Sequence, residues 1–249
     1  MTVVAGNAAS FRYLVGAVTH PGLVRQENED ALALHPSGEM WAVADGMGGH
    51  ANGRWAAMQV ATELAQTPLP GTVDADCDAI ADALANANAK IVAAAAAARK
   101  TIGATVVALR IAGSRFACLW AGDSRVYRLR AGTLRQLSRD HSHVEQLIEA
   151  GIITAKEADS HPMANVITRA VGVVPDLALD VVEDEVLAGD IFLLCSDGLN
   201  KCLSDAEIAA VVSTHPPAEA CDALVAGALK RGAPDNVTVI VVRCDAAAN

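Results

Sequence analysis

Apolar and polar residues come in blocks along this chain, and the block lengths set the elements. Residues 13–19, 31–35 and 40–44 are apolar runs of strand length, with Pro36-Ser37-Gly38 turning the second into the third. Helical spacing follows. Trp55, Met58, Ala61 and Ala65 share one face of 54–66, and Ile80, Leu84, Ala87, Ile91 and Ala95 share one face of 78–100, with Pro68 and Pro70 between the two helices. Strand-like runs return at 105–111, 115–121, 125–130 and 134–137, joined by Ala112-Gly113-Ser114, Gly122-Asp123-Ser124 and Ala131-Gly132. Connections this short join antiparallel neighbours.

The runs 105–109, 116–121, 191–195 and 237–242 are apolar almost without a break. A strand with two apolar faces must be covered on both. An antiparallel sheet backed by a second sheet on one side and by helices on the other meets that need. The predicted fold is α+β, a four-layer α/β/β/α sandwich. Residues 140–174 are of mixed polarity, with helical pieces at 144–150 and 155–159. Thr154 with Glu157, and Ser204 with Glu207 ahead of the apolar run 208–212, have capping-box spacing. A last helix, 218–230, stops at Arg231-Gly232. No repeat, linker or low-complexity stretch divides the chain, so one domain over 1–249 is expected.

Hydrophobic residues make up 52 % of the 249 and charged residues 19 %, which supports a large core and excludes disorder. The net charge of -10 and the lack of a Lys/Arg run argue against nucleic acid as a partner. Six cysteines show neither CxxC nor Cys/His spacing. Cys118, Cys195 and Cys244 lie in apolar runs, as buried free thiols do, which suits a reducing cytoplasm. No apolar stretch has membrane-spanning length; the alanine-rich 91–98 is flanked by Lys90 and Arg99-Lys100 and fits a helix. Residues 1–10 have neither the basic start nor the apolar block of a signal peptide. A cytoplasmic monomer away from membranes is expected.

Against this background the placement of aspartate stands out. Glu29-Asp30, Asp45-Gly46, Gly122-Asp123-Ser124, Ser196-Asp197-Gly198 and Asp235-Asn236 all fall where the chain enters or leaves a predicted strand. Taken singly, each fits a strand-ending turn. Carboxylates can share one small volume only if cations neutralise them; otherwise one is driven to stay protonated. Mg²⁺ and Mn²⁺ take oxygen ligands of this kind. The pattern reads as a two-metal hydrolase acting on phosphate esters.

The ordered set Arg25-Gln26-Glu27-Asn28-Glu29-Asp30, Asp45-Gly46-Met47-Gly48-Gly49, Gly122-Asp123-Ser124-Arg125, Ser196-Asp197-Gly198 and Asp235-Asn236 resembles the motifs of the metal-dependent PP2C-type (PPM) protein phosphatases of bacterial type. Thr168-Arg169-Ala170-Val171-Gly172 also resembles a segment that bacterial members carry, and the likeness runs from about Gly16 to Val242. The resemblance implies two antiparallel sheets flanked by helices and two Mn²⁺ or Mg²⁺ ions, with room for a third. Asp45 would bridge two metals, with the Gly46 carbonyl on the second. Asp197 and Asp235 would complete the first, and Glu29 would hold the second through a water. Asp30 would orient a water at the metals, and Arg25 would grip the substrate phosphate with its planar fork of donors. Asp123, with Asp197, would form part of the third site.

The chain departs from the family in two places. Met47 stands where some members carry histidine, and a thioether cannot protonate the leaving oxygen, a task typically worth about 10²–10⁴-fold. A water at the metals is the expected donor, with His50 a weaker candidate and His141 and His143 read as flap or surface residues. Lys201 stands where some relatives have a further acid, which leaves the third metal's ligand set open. Residues 141–165 would form a flap beside the site, with Leu147, Ile148, Ile152 and Ile153 needing burial. No C-x₅-R loop surrounds any cysteine, so no phosphocysteine is expected. The resemblance implies a phosphoserine/phosphothreonine protein phosphatase, acting on phosphorylated proteins and opposing a Ser/Thr kinase. A catalytically silent phosphoprotein-binding module and a small-molecule phosphatase are the alternatives.

Overall fold

The computed structural model describes residues 11–49, 51–158 and 161–247. His50, Asp159 and residues 1–10, on which expectations were placed, lie outside them. In chain order the elements are β1 (Phe11–His20), β2 (Asp30–Leu34), β3 (Met40–Met47), α1 (Ala51–Gln66), α2 (Val73–Ala98), β4 (Gly103–Ala104), β5 (Val106–Ala112), β6 (Arg115–Ala121), β7 (Arg125–Arg130) and β8 (Thr133–Gln136). Then come α3 (His143–Glu149), α4 (Ala155–Ala158), β9 (Asp180–Glu185), β10 (Ile191–Cys195), α5 (Asp197–Asn200), α6 (Asp205–Thr214), α7 (Pro217–Lys230) and β11 (Val237–Ala246).

The strands form two antiparallel sheets, ordered β1-β11-β10-β7-β8 and β2-β3-β5-β6-β9, with β4 paired to β3. Strand alternation sorts side chains by size. On β3, Trp41 and Val43 point to the space between the sheets, where they join Leu109, Phe116, Phe192 and Ile240. Ala42 and Ala44 point the other way, onto a layer built from Ala56, Val60, Leu64, Ile80 and Leu84 of α1 and α2. The outer face of the other sheet, through Tyr127, Leu193, Val239 and Val241, packs on Ile208, Val212 and Leu224 of α6 and α7. Four layers result, as the two-faced apolar runs require. Phe116 and Phe192 meet edge-on across the sheet interface, 4.9 Å between ring centroids.

Both capping boxes form. Ser204 and Glu207 cap α6, and the Glu157 carboxylate accepts from the Thr154 N–H at 2.7 Å at the start of α4. All six cysteines are free thiols, four of them buried. Among the described residues no helix is long and apolar enough to cross a membrane.

Candidate metal centre

Register alone brings the five aspartate segments together. In one sheet His20 pairs with Val237, Cys195 with Val239 and Arg125 with Cys195, so the end of β1, the start of β11, the end of β10 and the start of β7 share an edge. In the other sheet Asp30 lies opposite Asp45, and Val106 opposite Ala121. Every motif therefore leaves its sheet at the same edge of the sandwich.

Small polar side chains then lock the segments to one another. Asp30 Oδ2 accepts from Ser196 Oγ and Thr238 Oγ1, each at 2.7 Å, and Ser196 Oγ accepts from the Thr238 N–H at 3.0 Å. Asn236 Oδ1 accepts from the Glu29 N–H at 2.8 Å, while its Nδ2 donates to the Pro21 and Glu27 carbonyls. The Asp45 N–H donates to Thr105 Oγ1, which lies 2.7 Å from Ser124 Oγ and so ties the end of β3 to the turn that carries Asp123. Sequence reasoning quoted Ser124 and Ser196 within the motifs without giving them a role, and it missed Thr105 and Thr238. The signal was their adjacency to motif residues, since a buried hydroxyl beside a carboxylate needs a polar partner.

Close backbone approaches explain the motif glycines Gly46 and Gly198 and also Gly53 in α1. A Cβ on Gly53 would sit 1.9 Å from Glu29 Oε2, and one on Gly46 would sit 2.1 Å from the Gly53 carbonyl oxygen and 2.7 Å from that of Glu29. Glu29 thus seats its carboxylate in a notch between β3 and α1 that any side chain would fill. A Cβ on Gly198 would come 1.9 Å from the Asn236 carbonyl oxygen, so Asp197 and Asp235 are brought near each other by bare backbone contact.

The electrostatics are those of crowded acids. Burial pushes Asp30 up to about 7 against the pull of its two hydroxyl donors, with Asp197 and Asp235 adding to the rise. Asp123 is also pushed up to about 7, by burial and then by Asp197 and Asp140. Asp45 is raised well above the ordinary carboxylate range by burial and by Asp30, Asp197, Asp123 and Asp235 together. Burial raises Asp197 as well, and the attraction of Lys201 does not cancel it.

Among the described residues two basic groups bond carboxylates of the cluster. Arg25, about half exposed, donates to Asp235 Oδ2 at 2.8 Å, and Lys201 donates to Asp197 Oδ2. Asp30 Oδ1, Asp123 Oδ1 and Asp197 Oδ1 are buried with no hydrogen-bond partner. Such oxygens are costly unless a cation meets them. Among the described residues no three acidic, histidine or cysteine side chains stand in ready-made ligand geometry; Arg25 and Lys201 each hold an oxygen of the carboxylate beside them. The donor set, all oxygen and with three atoms unsatisfied, fits a hard divalent cation.

Met47 pairs with Gly103, and a Cβ there would come 2.8 Å from the Met47 methyl, so the thioether packs over β4. His141, expected as a flap or surface group, is instead nearly buried at the root of the flap. It stacks on Trp120, accepts the Gly122 N–H at Nδ1 (3.1 Å), and places Nε2 3.2 Å from Asp180 Oδ2. Burial lowers its pKa. The flap itself carries α3 and α4, and its base is pinned where the His143 N–H donates to the Val166 carbonyl. Leu147, Ile148 and Ile153 are partly buried, but Ile152, expected inside, is 66 % exposed at the turn after α3. A cleft of about 770 Å³ runs from Asp123 and Asp197 outward beneath the flap, past Ile148, His161, Lys201 and Leu203.

The family model for protein phosphatase 2C matches residues 24–226. The serine/threonine protein phosphatase PstP of Mycobacterium tuberculosis is 40 % identical over 228 residues, covering 88 % of this chain and 43 % of PstP, so the chain spans less than half the length of that relative. The structure of PppA, described as a key regulatory component of T6SS in Pseudomonas aeruginosa, superposes with a TM-score of 0.88 at 43 % identity, covering 96 % of this chain and 100 % of PppA. That of the catalytic domain of PstP in complex with two manganese ions superposes with a TM-score of 0.83 at 33 % identity, covering 95 % of this chain and 100 % of that domain. With its acidic motifs gathered at one edge of a two-sheet sandwich, this chain is a member of the protein phosphatase 2C family.

Proposed function

We propose that the chain hydrolyses phosphoserine and phosphothreonine esters on proteins with the help of Mn²⁺ or Mg²⁺. The observation that carries this reading is the set of buried carboxylates at one edge, with three oxygens unsatisfied, beside an exposed arginine. Asp45, Asp197 and Asp235, with Glu29 and the Gly46 carbonyl, would hold two cations. When bound, such a pair acidifies a water to serve as nucleophile and offsets charge developing on the phosphoryl oxygens. The manganese pair reported for the PstP catalytic domain supports the choice of ion. Asp123 and Asp197 line the position at which a third ion was expected.

The remaining work falls to the chain's own groups. Arg25 turns its guanidinium from Asp235 to the substrate phosphate, where a forked donor suits two oxygens at once. Asp30, immobilised at Oδ2 by Ser196 and Thr238, presents its unpartnered Oδ1 to orient the attacking water. Met47 offers no proton, so the leaving seryl or threonyl oxygen takes its proton from water. The six free thiols suit a reducing cytoplasm. All five motif segments come from one chain, so a monomer suffices. The regulatory role given to PppA supports a place in a phosphorylation circuit, opposite a Ser/Thr kinase.

The test is release of phosphate from a phosphothreonine peptide with Mn²⁺ and with EDTA. Turnover that needs Mn²⁺ is expected. Peptide binding without turnover would make the chain a silent phosphoprotein-binding module, and preference for phosphometabolites would make it a small-molecule phosphatase.

A further inference from the structure

Lys201 is a basic group set inside an acidic centre, and its position is fixed by local geometry. It caps α5 four residues after Asp197, so its side chain lies on the same face and bonds Asp197 Oδ2. Its charge is also felt at Asp123 and Asp235. Asp123, Asp197 and Lys201 all line the cleft beneath the flap. Asp123 and Asp197 are each over nine-tenths buried, and each keeps one oxygen without a hydrogen-bond partner.

The charges at this edge can be balanced group by group. Glu29, Asp30, Asp45, Asp123, Asp197 and Asp235 carry six negative charges when ionised, Arg25 and Lys201 carry two positive ones, and the neighbouring Arg125–Asp140 ion pair adds no net charge. Two divalent cations bring the centre to neutrality. A third would leave it doubly positive, with a divalent ion forced beside an ammonium group in a partly buried pocket where like charges are poorly screened.

We propose that Lys201 is the resident cation on the Asp123–Asp197 side of the centre, filling with a fixed ammonium the place a third divalent ion would take. The chain is then built for two divalent cations. This rests on the metal-centre reading above, and it gives the identity of residue 201 control over cation number.

The experiment is Mn²⁺ binding by equilibrium dialysis with elemental analysis, on the full chain, for wild type, Lys201→Glu and Lys201→Glu/Asp123→Asn, each checked by near-UV circular dichroism. The expected stoichiometries are two Mn²⁺ per chain for wild type, three for Lys201→Glu, and a return to two for the double variant. Should Lys201→Glu fail to fold, Lys201→Gln replaces it, with at least a tenfold rise over wild type in affinity for a third ion expected. Three ions on the wild type, or only two on Lys201→Glu, would overturn the assignment of Lys201 and leave the phosphatase reading standing. No Mn²⁺ bound by any form would overturn both.

Discussion

Thr238→Val removes one hydroxyl from the support of Asp30, together with that hydroxyl's 2.7 Å hydrogen bond with Thr19 Oγ1. Thr238 is fully buried at the second position of β11, and valine fits the same strand site. The lost bond, 2.7 Å from Thr238 Oγ1 to Asp30 Oδ2, is one of two that favour the ionised carboxylate in a site where burial opposes ionisation. Hydrogen bonds to charged groups contribute roughly 1.5–3 kcal/mol. If Asp30 acts as an anion in turnover, that loss corresponds to a fall of about 10–100-fold in kcat at neutral pH. The sign is fixed: weakening the support of the anion raises the pKa further, so the acid limb of the rate profile moves to higher pH. Thr238→Ser keeps a hydroxyl and should restore most of both quantities. The assay is a pH–rate profile of phosphothreonine peptide hydrolysis at saturating Mn²⁺. A Thr238→Val enzyme with an unmoved acid limb and a kcat within threefold of wild type would refute the role given to Asp30 and its hydroxyl support.

Other consequences are as direct. Asp123, raised to about 7 in the folded chain, holds a proton there between about pH 4 and 7 that the unfolded chain has released, so it costs stability as pH rises through that window. Asp123→Asn should therefore stabilise EDTA-stripped protein at pH 8, by up to ~4 kcal/mol, and by less than half of that at pH 5; equal effects on Tm at both pH values would contradict this. Asp76→Ala strips the buried Arg110 guanidinium of its 2.8 Å partner, leaving Glu39 at the surface to compensate in part, and should cost ~3–5 kcal/mol in urea unfolding. A loss below about 1 kcal/mol would show that Glu39 alone suffices. Gly53→Ala would stabilise an ordinary helix by roughly 0.5–1 kcal/mol, but here it should displace Glu29 and raise the Mn²⁺ concentration needed for half-maximal turnover. An unchanged Mn²⁺ requirement would remove Glu29 from the centre.

Much of the fold was legible because its strands are covered on both sides, and such strands are apolar without a break. The limits read for β6 and β7 coincide with those observed, since glycine-containing turns flank both. β9 went unread. Four of its six residues are acidic, and it is a strand only because it pairs with β6 at a sheet edge, where Arg115 and Arg128 meet Glu183 and Asp184. α5 was read as a turn, because four residues that include glycine carry no periodicity and its first turn is set by contact with the entry to β11. α2 begins at Val73, five residues before the start read at 78, where the Thr72 hydroxyl caps a first turn that holds Asp74 and Asp76. At the site, the motif carboxylates were visible as types and spacings. Their supports were not, because Thr105 and Thr238 sit in runs that read as ordinary strand and Ser124 and Ser196 read as turn residues. The flap reading asked for burial of Ile152 from its hydrophobicity alone, yet the turn that ends α3 leaves it in solvent.

The central claim is that Asp45, Asp197 and Asp235 together hold divalent cations at one edge of the sandwich. Calorimetric titration of Mn²⁺ into wild type and Asp45→Asn, with folding of both checked by circular dichroism, addresses it most directly. The account predicts saturable binding by the wild type and a loss of at least tenfold in affinity, with turnover abolished, in Asp45→Asn. Equal Mn²⁺ binding by the two proteins would contradict it.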